Sequence, residues 1–338
     1  MSILQKLLSS TAVDWTFDRI NSKHVPGGAS EEPIRPNEKY VSVFLRSMRI
    51  VHTRKLWKKF YPVVHSYISL PHRSGHIAEF QVVASPSKLL ELDGTRIDRV
   101  IAVNQRLLGP TPYRGGDLKM ELGLFSVNSS DFAKPFLSIL ETMATTAGVS
   151  FVGAAKPFVD PLKKGIELLS GAKDLNLDIG VATDFDKPET GYFYVMGAPK
   201  GSLESEDLKV SSDYKLIERS GRAVSQYPYL LFSIDSSSKR DEWFVIPEIS
   251  SAHKELYRLV GAAGKRAEIE DALQAFRRTV LTSPDLLTAD AERLVAEVTK
   301  DVEAAVPASL TSATPSRKTG IKIRNLKSID LFRDRFQA

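Results

Sequence analysis

The chain contains no cysteine. That excludes disulfides, thiolate metal centres and cysteine nucleophiles, and it suits a reducing compartment, so a cytoplasmic location is expected. No apolar run reaches the roughly 18–20 residues of a membrane-spanning helix. Met1–Leu8 is partly apolar but has neither a cationic start nor a small-residue cleavage site, and no cleavable leader is expected. The GxSxG signature of a serine nucleophile elbow is missing. No residue-level repeat is found, although two strand-rich stretches are each followed by helical sequence.

The most telling scarcity is local. From Lys39 to Ala78 there is no Asp or Glu, although 26% of the chain is charged. The same window holds eight basic residues (Lys39, Arg46, Arg49, Arg54, Lys55, Lys58, Lys59 and Arg73) and four of the six histidines, His52, His65, His72 and His76. A second basic stretch, Ser316–Ala338, has seven basic residues and two acids. The rest of the chain is acidic, which leaves the net charge at only +5. Charge segregated in this way reads as interaction surface.

What is present in normal amount sets the fold class. With 338 residues and 42% hydrophobic content, the chain is long enough for two cores. Ile3, Leu4, Leu7 and Leu8, followed by Val13, Trp15, Phe17 and Ile20, have helical spacing over residues 1–20. Residues 21–37, with Pro26, Gly27, Gly28, Pro33 and Pro36, read as a linker. From residue 39 the pattern turns to short strands. These are YVSVFLRSMRIVHT, then KKFYPVVHSYISL with Pro62 at an edge or bulge, then HIAEFQVVA, Arg99–Leu108 and Leu118–Val127. Residues 129–172 read as a helical connector. Strands return at Leu175–Val181, Gly191–Gly197, Tyr214–Glu218, Tyr229–Ile234 and Glu242–Ile246. Helical spacing follows over Ala252–Val260, Lys265–Leu281 and Ala289–Val306.

The expected class is therefore α+β, with antiparallel β-sandwich architecture, a helical insertion and a helical C-terminal region. The expected segments are 1–38 (helix and linker), 39–128 (β-sandwich), 129–172 (connector), 173–250 (second β block), 251–306 (helices) and 307–338 (linker and basic tail).

Candidate chemistry is sparse. Gly148–Lys156 has the glycine spacing of a phosphate loop, but its lysine stands two positions late and no Ser or Thr follows it. Gly261–Arg266 fails the same test. His65, His72 and His76 can converge across strands as zinc ligands, yet the local positive charge opposes a cation. Asp184 and Asp186 in one loop, with Asp235 and Asp241 flanking another, are the weak candidates for a hard cation. These two loops and the strand count resemble the calcium- and lipid-binding β-sandwich domains of the synaptotagmin and protein kinase C type, without that family's dense Asp pattern. No cofactor is expected.

The basic window carries the functional expectation. Arg46, Arg49, Arg54, Lys55, Trp57, Lys58 and Lys59 are its binding candidates, and Arg317, Lys318, Lys322, Arg324 and Lys327 those of the tail. Arg46 and Arg54 share a face only if the two-residue strand period and the register allow it. An acidic protein surface, including a second copy of the chain, fits best. An anionic membrane, where each basic residue contributes about 1 kcal/mol, is an alternative, as is nucleic acid, on which Trp57, Phe60 or Tyr61 would stack. These aromatics equally suit a core. Over about residues 39–170 the first β block and the helix after it resemble accessory proteins of bacterial conflict and defence loci. That resemblance implies an adaptor or structural subunit of a larger antiviral-defence complex. The expectation is a non-enzymatic binding and assembly protein, with a peripheral membrane or pore-forming effector and a nucleic-acid-binding module as alternatives.

Overall fold

In a computed structural model of the chain, the strand-forming runs of the first two thirds pair into antiparallel sheets. The structure describes residues 15–51, 54–55, 58–72, 77–84, 101–128, 175–199, 201–262 and 264–306. The expected connector over 129–172 and the tail over 307–338 lie outside them, as do residues 1–14. The chain divides into two compact units, one running to Ser238 and the other from Lys239.

The first unit is built of strands. They are β1 (Thr16–Ile20), β2 (Tyr40–Arg49), β3 (Arg54–Lys55), β4 (Lys58–Pro71), β5 (Ile77–Ala84), β6 (Ile101–Pro112), β7 (Leu118–Asn128), β8 (Leu175–Phe185), β9 (Gly191–Met196), β10 (Leu208–Val210), β11 (Leu216–Glu218) and β12 (Tyr229–Ser237). One sheet has the order β1-β9-β12-β2-β6, and a second runs β3-β4-β7-β8 with β5 also paired to β4. β10 and β11 form a separate ribbon. Strands from both expected β blocks meet in each sheet, because β12 pairs with β2 and β8 pairs with β7. The two runs are one structural unit.

Alternation explains the core. Val41, Val43 and Leu45 of β2, Val64, Ile68 and Leu70 of β4, Met120, Leu122 and Leu124 of β7, and Phe232 and Ile234 of β12 join one buried cluster drawn from both sheets. Every second residue of a strand faces the same side, so one face of each sheet is apolar. Four phenylalanines tie β1, β8, β9 and β12 together: Phe17, Phe185, Phe193 and Phe232 have ring centroids 5.4–6.3 Å apart. A second buried cluster, with Ile20, Tyr194, Met196, Leu208, Leu216, Tyr229 and Leu231, lies under the β10–β11 ribbon.

Three expectations are corrected. Thr16–Ile20 is a strand along β9 and not part of a helix. Its alternate residues serve different clusters, Phe17 among the phenylalanines and Ile20 under the ribbon, which a helix cannot arrange. Residues 21–37 are packed and not a free linker. Ile34 and Val25 are buried, and backbone bonds from Ile34 to Pro188 (2.9 Å) and from Thr190 to Glu32 (3.0 Å) strap the segment onto the turn before β9. Glu242–Ile246 is not a strand, since Trp243–Val245 forms a 3-10 turn that leads into a helix. A run of five apolar-rich residues does not separate the two states by period. Pro62 stands opposite Ser126 of β7, and among the described residues β5 pairs with β4 only from Val64 on.

The second unit holds α1 (Pro247–Gly261), α2 (Arg266–Thr282) and α3 (Thr288–Ala305). Ile249, Leu256 and Val260, then Ile269, Leu273, Phe276 and Val280, then Ala291, Leu294, Val298 and Val302 form the core stripes. Pro247 starts α1, at the position where a missing N–H costs nothing. Arg240 is 1% exposed. Its backbone N–H donates to Asp290 Oδ2 (2.8 Å) and its guanidinium to the Asp285 carbonyl (3.1 Å), which fixes the start of this unit to the α2–α3 connection.

Candidate functional site

The acid-free window is split by the fold. β2, which carries Arg46 and Arg49, belongs to the first sheet, whereas β3, β4 and β5 belong to the second. Arg46 and Arg54 therefore share no face, and the one-sided charge of the sequence is not one surface.

Arg46 is an internal group. It is 8% exposed and stands where both neighbouring ladders break step. On β12 the partners pass from Leu231–Ser47 to Phe232–Leu45, leaving Arg46 unopposed. On β6 they pass from Gln105–Leu45 to Ala102–Ser47. This bulge shifts the alternation, so the core residue after Leu45 is Met48, three positions on. The guanidinium donates to Ser233 Oγ (2.9 Å), Asn104 Oδ1 and Asp235 Oδ2 (2.7 Å). It also lies over the rings of Phe44, Tyr214 and Tyr192, at 4.6, 5.1 and 5.6 Å from their centroids. Asn104 (φ 44°) and Tyr214 (φ 60°) are two of three non-glycine residues with left-handed backbone among those described. Both touch Arg46, so the network holds backbone that would otherwise relax. Arg49, also 8% exposed, donates to the Ser225 carbonyl at 2.8 Å. Neither arginine is available as a docking group.

The remaining candidates gather on the second sheet. β3 pairs with the start of β4 so that Arg54 lies opposite Lys59 and Lys55 opposite Lys58. Among the described strands β3 is an edge. Like charges at directly opposed positions disfavour pairing, so this ribbon end concentrates four cationic residues against an internal cost. Trp57, between the strands, lies outside the described residues, as do His52 and His76. His65 adds nothing to the field at neutral pH, because burial pushes its imidazole down to about 4.

The carboxylates considered for a metal are dispersed. Asp184 faces Lys119 at 3.7 Å. Asp235 is committed to Arg46. Asp241 belongs to the helical unit, whereas Asp184, Asp186 and Asp235 belong to the strand unit. Among the described residues, no three His, Asp or Glu side chains converge to hold a metal ion, and no helix is long and apolar enough to cross a membrane. The glycine-rich segment 148–156 and the tail residues Arg317, Lys318, Lys322, Arg324 and Lys327 lie outside the described residues.

Sequence reasoning missed one cluster. An open depression of about 450 Å3 lies between the 3-10 turn Ser22–His24 and the β10–β11 ribbon, lined by Lys23, His24, Lys209 and Arg219 with Val210 and Ile217. These basic residues come from stretches nearly two hundred positions apart, with no charge run at any of them, so only a β10–β11 ribbon packed against the turn could have revealed them. No family model matches the chain, and comparisons with curated proteins and with solved structures find no match either.

Proposed function

We propose that the protein is a non-enzymatic binding and assembly protein, a β-sandwich with a helical region, that docks an acidic protein surface through the basic β3–β4 edge. One observation carries this reading: the register that opposes Arg54 to Lys59 and Lys55 to Lys58 at a sheet edge. Opposed like charges weaken the ribbon in isolation, and an acidic partner turns that repulsion into attraction. Edge cations also discourage strand-to-strand addition, so the partner meets side chains and not the open ladder. Buried Arg46 and Arg49 take no part, which narrows the docking group to Arg54, Lys55, Lys58 and Lys59.

The test is capture from native extract by the full chain and by the Lys58→Glu/Lys59→Glu variant. The reading expects a protein that is retained at low salt, released by about 0.5 M salt as screening shortens to a few ångströms, and not captured by the variant. Retention must survive nuclease and mild detergent. Loss on nuclease treatment would transfer the surface to nucleic acid, and loss on removal of lipid to a membrane. Equal capture by the variant would refute it.

A further inference from the structure

A second cationic surface lies between the Ser22–His24 turn and the β10–β11 ribbon, which belongs to neither large sheet, and its character differs. We propose that the depression lined by Lys23, His24, Lys209 and Arg219 binds a small ligand that carries two adjacent phosphate groups.

The local fold explains how these groups come together. Asn21 accepts the Lys23 backbone N–H through its side chain (3.0 Å) and so fixes the short turn that carries Lys23 and His24. In the ribbon, Lys209 pairs with Ile217. Leu208, Val210 and Leu216 are buried beneath it. Strand alternation then turns Lys209 and Ile217 to the opposite side, and Arg219 follows β11 directly. One wall of the depression supplies Lys23 and His24, the other Lys209 and Arg219, with Val210 and Ile217 between them.

Their charge is not neutralised. Six cations of this unit have acids: Arg19 with Glu189, Arg35 with Glu38, Arg46 with Asp235, Lys119 with Asp184, Lys215 with Asp213 and Arg222 with Glu218. Among the described residues Lys23, Lys209 and Arg219 have no such partner, and no acid lines the depression. Three neighbouring acids are engaged elsewhere. Glu31 accepts the Ser22 backbone N–H at 2.8 Å, Glu218 holds Arg222 at 2.7 Å, and Asp213 holds Lys215. Three cations without an acid around one concavity are a demand for acceptor oxygens. Cations contributed by two separate segments suit a ligand with charge at both ends, and two joined phosphates are the simplest such group. The volume lies within the range of small-molecule sites.

The experiment is calorimetric titration of the full chain with sodium pyrophosphate in low-salt buffer, with inorganic phosphate and citrate in parallel. The expected result is saturable 1:1 binding with a dissociation constant of about 10–100 μM, with phosphate and citrate each at least about tenfold weaker. Lys209→Gln/Arg219→Gln should weaken pyrophosphate about tenfold or more, because a hydrogen bond to a charged group is worth at least that factor. Lys23→Gln, on an exposed turn, is a second variant should the ribbon change unfold the chain. Lys58→Glu/Lys59→Glu should bind as wild type, which separates this site from the docking edge. No saturation below about 1 mM, equal affinity for citrate, or unchanged binding by folded variants would overturn the proposal.

Discussion

Arg46 on β2 and Asp235 on β12 form an ion pair at 2.7 Å, across residues 189 positions apart in sequence. The pair is asymmetric, with the arginine side chain 10% exposed and the aspartate 40%. Its position at the break of both ladders makes the arginine the hub of this network, and the aspartate one of several groups that hold it there.

Arg46→Met should destabilise the strand unit by about 2–4 kcal/mol, because it strands Asn104 and Ser233 without their donor and frees two residues of left-handed backbone. Asp235→Asn should cost only about 1 kcal/mol, since its carboxylate is partly hydrated. Urea denaturation of the two variants tests the order. Equal costs would show that the ion pair, and not the bulge network, carries the stabilisation.

Arg240→Met should destabilise the helical unit by about 2–4 kcal/mol. The Asp285 carbonyl loses its donor, and a side chain almost wholly enclosed is replaced by one that makes no hydrogen bond there. The backbone bond to Asp290 survives, so the helices should still form. Helical circular dichroism followed through thermal unfolding reads the change.

His253 packs against Trp243, Tyr257 and Phe276, with ring centroids at 4.9, 4.3 and 5.9 Å. Burial pushes its imidazole down from 6.5 to about 4. The unfolded chain thus takes up a proton that the folded unit refuses between these values. Stability contributed by the neutral form is complete above pH 6.5 and is lost as the pH falls towards 4. Melting temperature should therefore fall on acidification through this window. His253→Phe should flatten that dependence in the helical transition. A wild-type transition independent of pH from 7.5 to 4.5 would contradict it.

Gly116 has φ 78°, and a Cβ there would stand 2.7 Å from the Pro71 ring. Gly116→Ala should cost about 1–3 kcal/mol from left-handed strain and overpacking together. Gly27, also at positive φ but with open space around it, should lose only the conformational part, about 1 kcal/mol. Parallel denaturation of the two alanine variants separates the terms.

Much of the element order was legible. The run beginning at Tyr40 alternates in part, those beginning at Gly191 and Tyr229 are short apolar and aromatic stretches, and Leu294, Val298 and Val302 repeat at helical spacing. Thr16–Ile20 was misread because Phe17 and Ile20 stand three apart and extend the helical spacing of the apolar stretch upstream. The packing of residues 21–37 was hidden by glycines and prolines, which mark turns but do not say whether Ile34 is buried. Of the docking candidates, Arg54, Lys55, Lys58 and Lys59 were legible as a cluster, since a hairpin keeps sequence neighbours together. The fates of Arg46 and Arg49 were not, because burial of a cation depends on partners that sequence distance conceals.

Composition and period alone determined the absence of thiol chemistry, the change from strands to helices, and the separation of basic segments from an acidic remainder. Tertiary structure decided which sheet each strand joins. It therefore divided the acid-free window between two faces, closed Arg46 inside an aromatic and carboxylate network, and brought Lys23 and His24 beside Lys209 and Arg219. The reason is physical. Local preference is settled by each residue and its near neighbours, whereas ladder partners and buried charges are settled by contacts between segments that only the folded chain brings together.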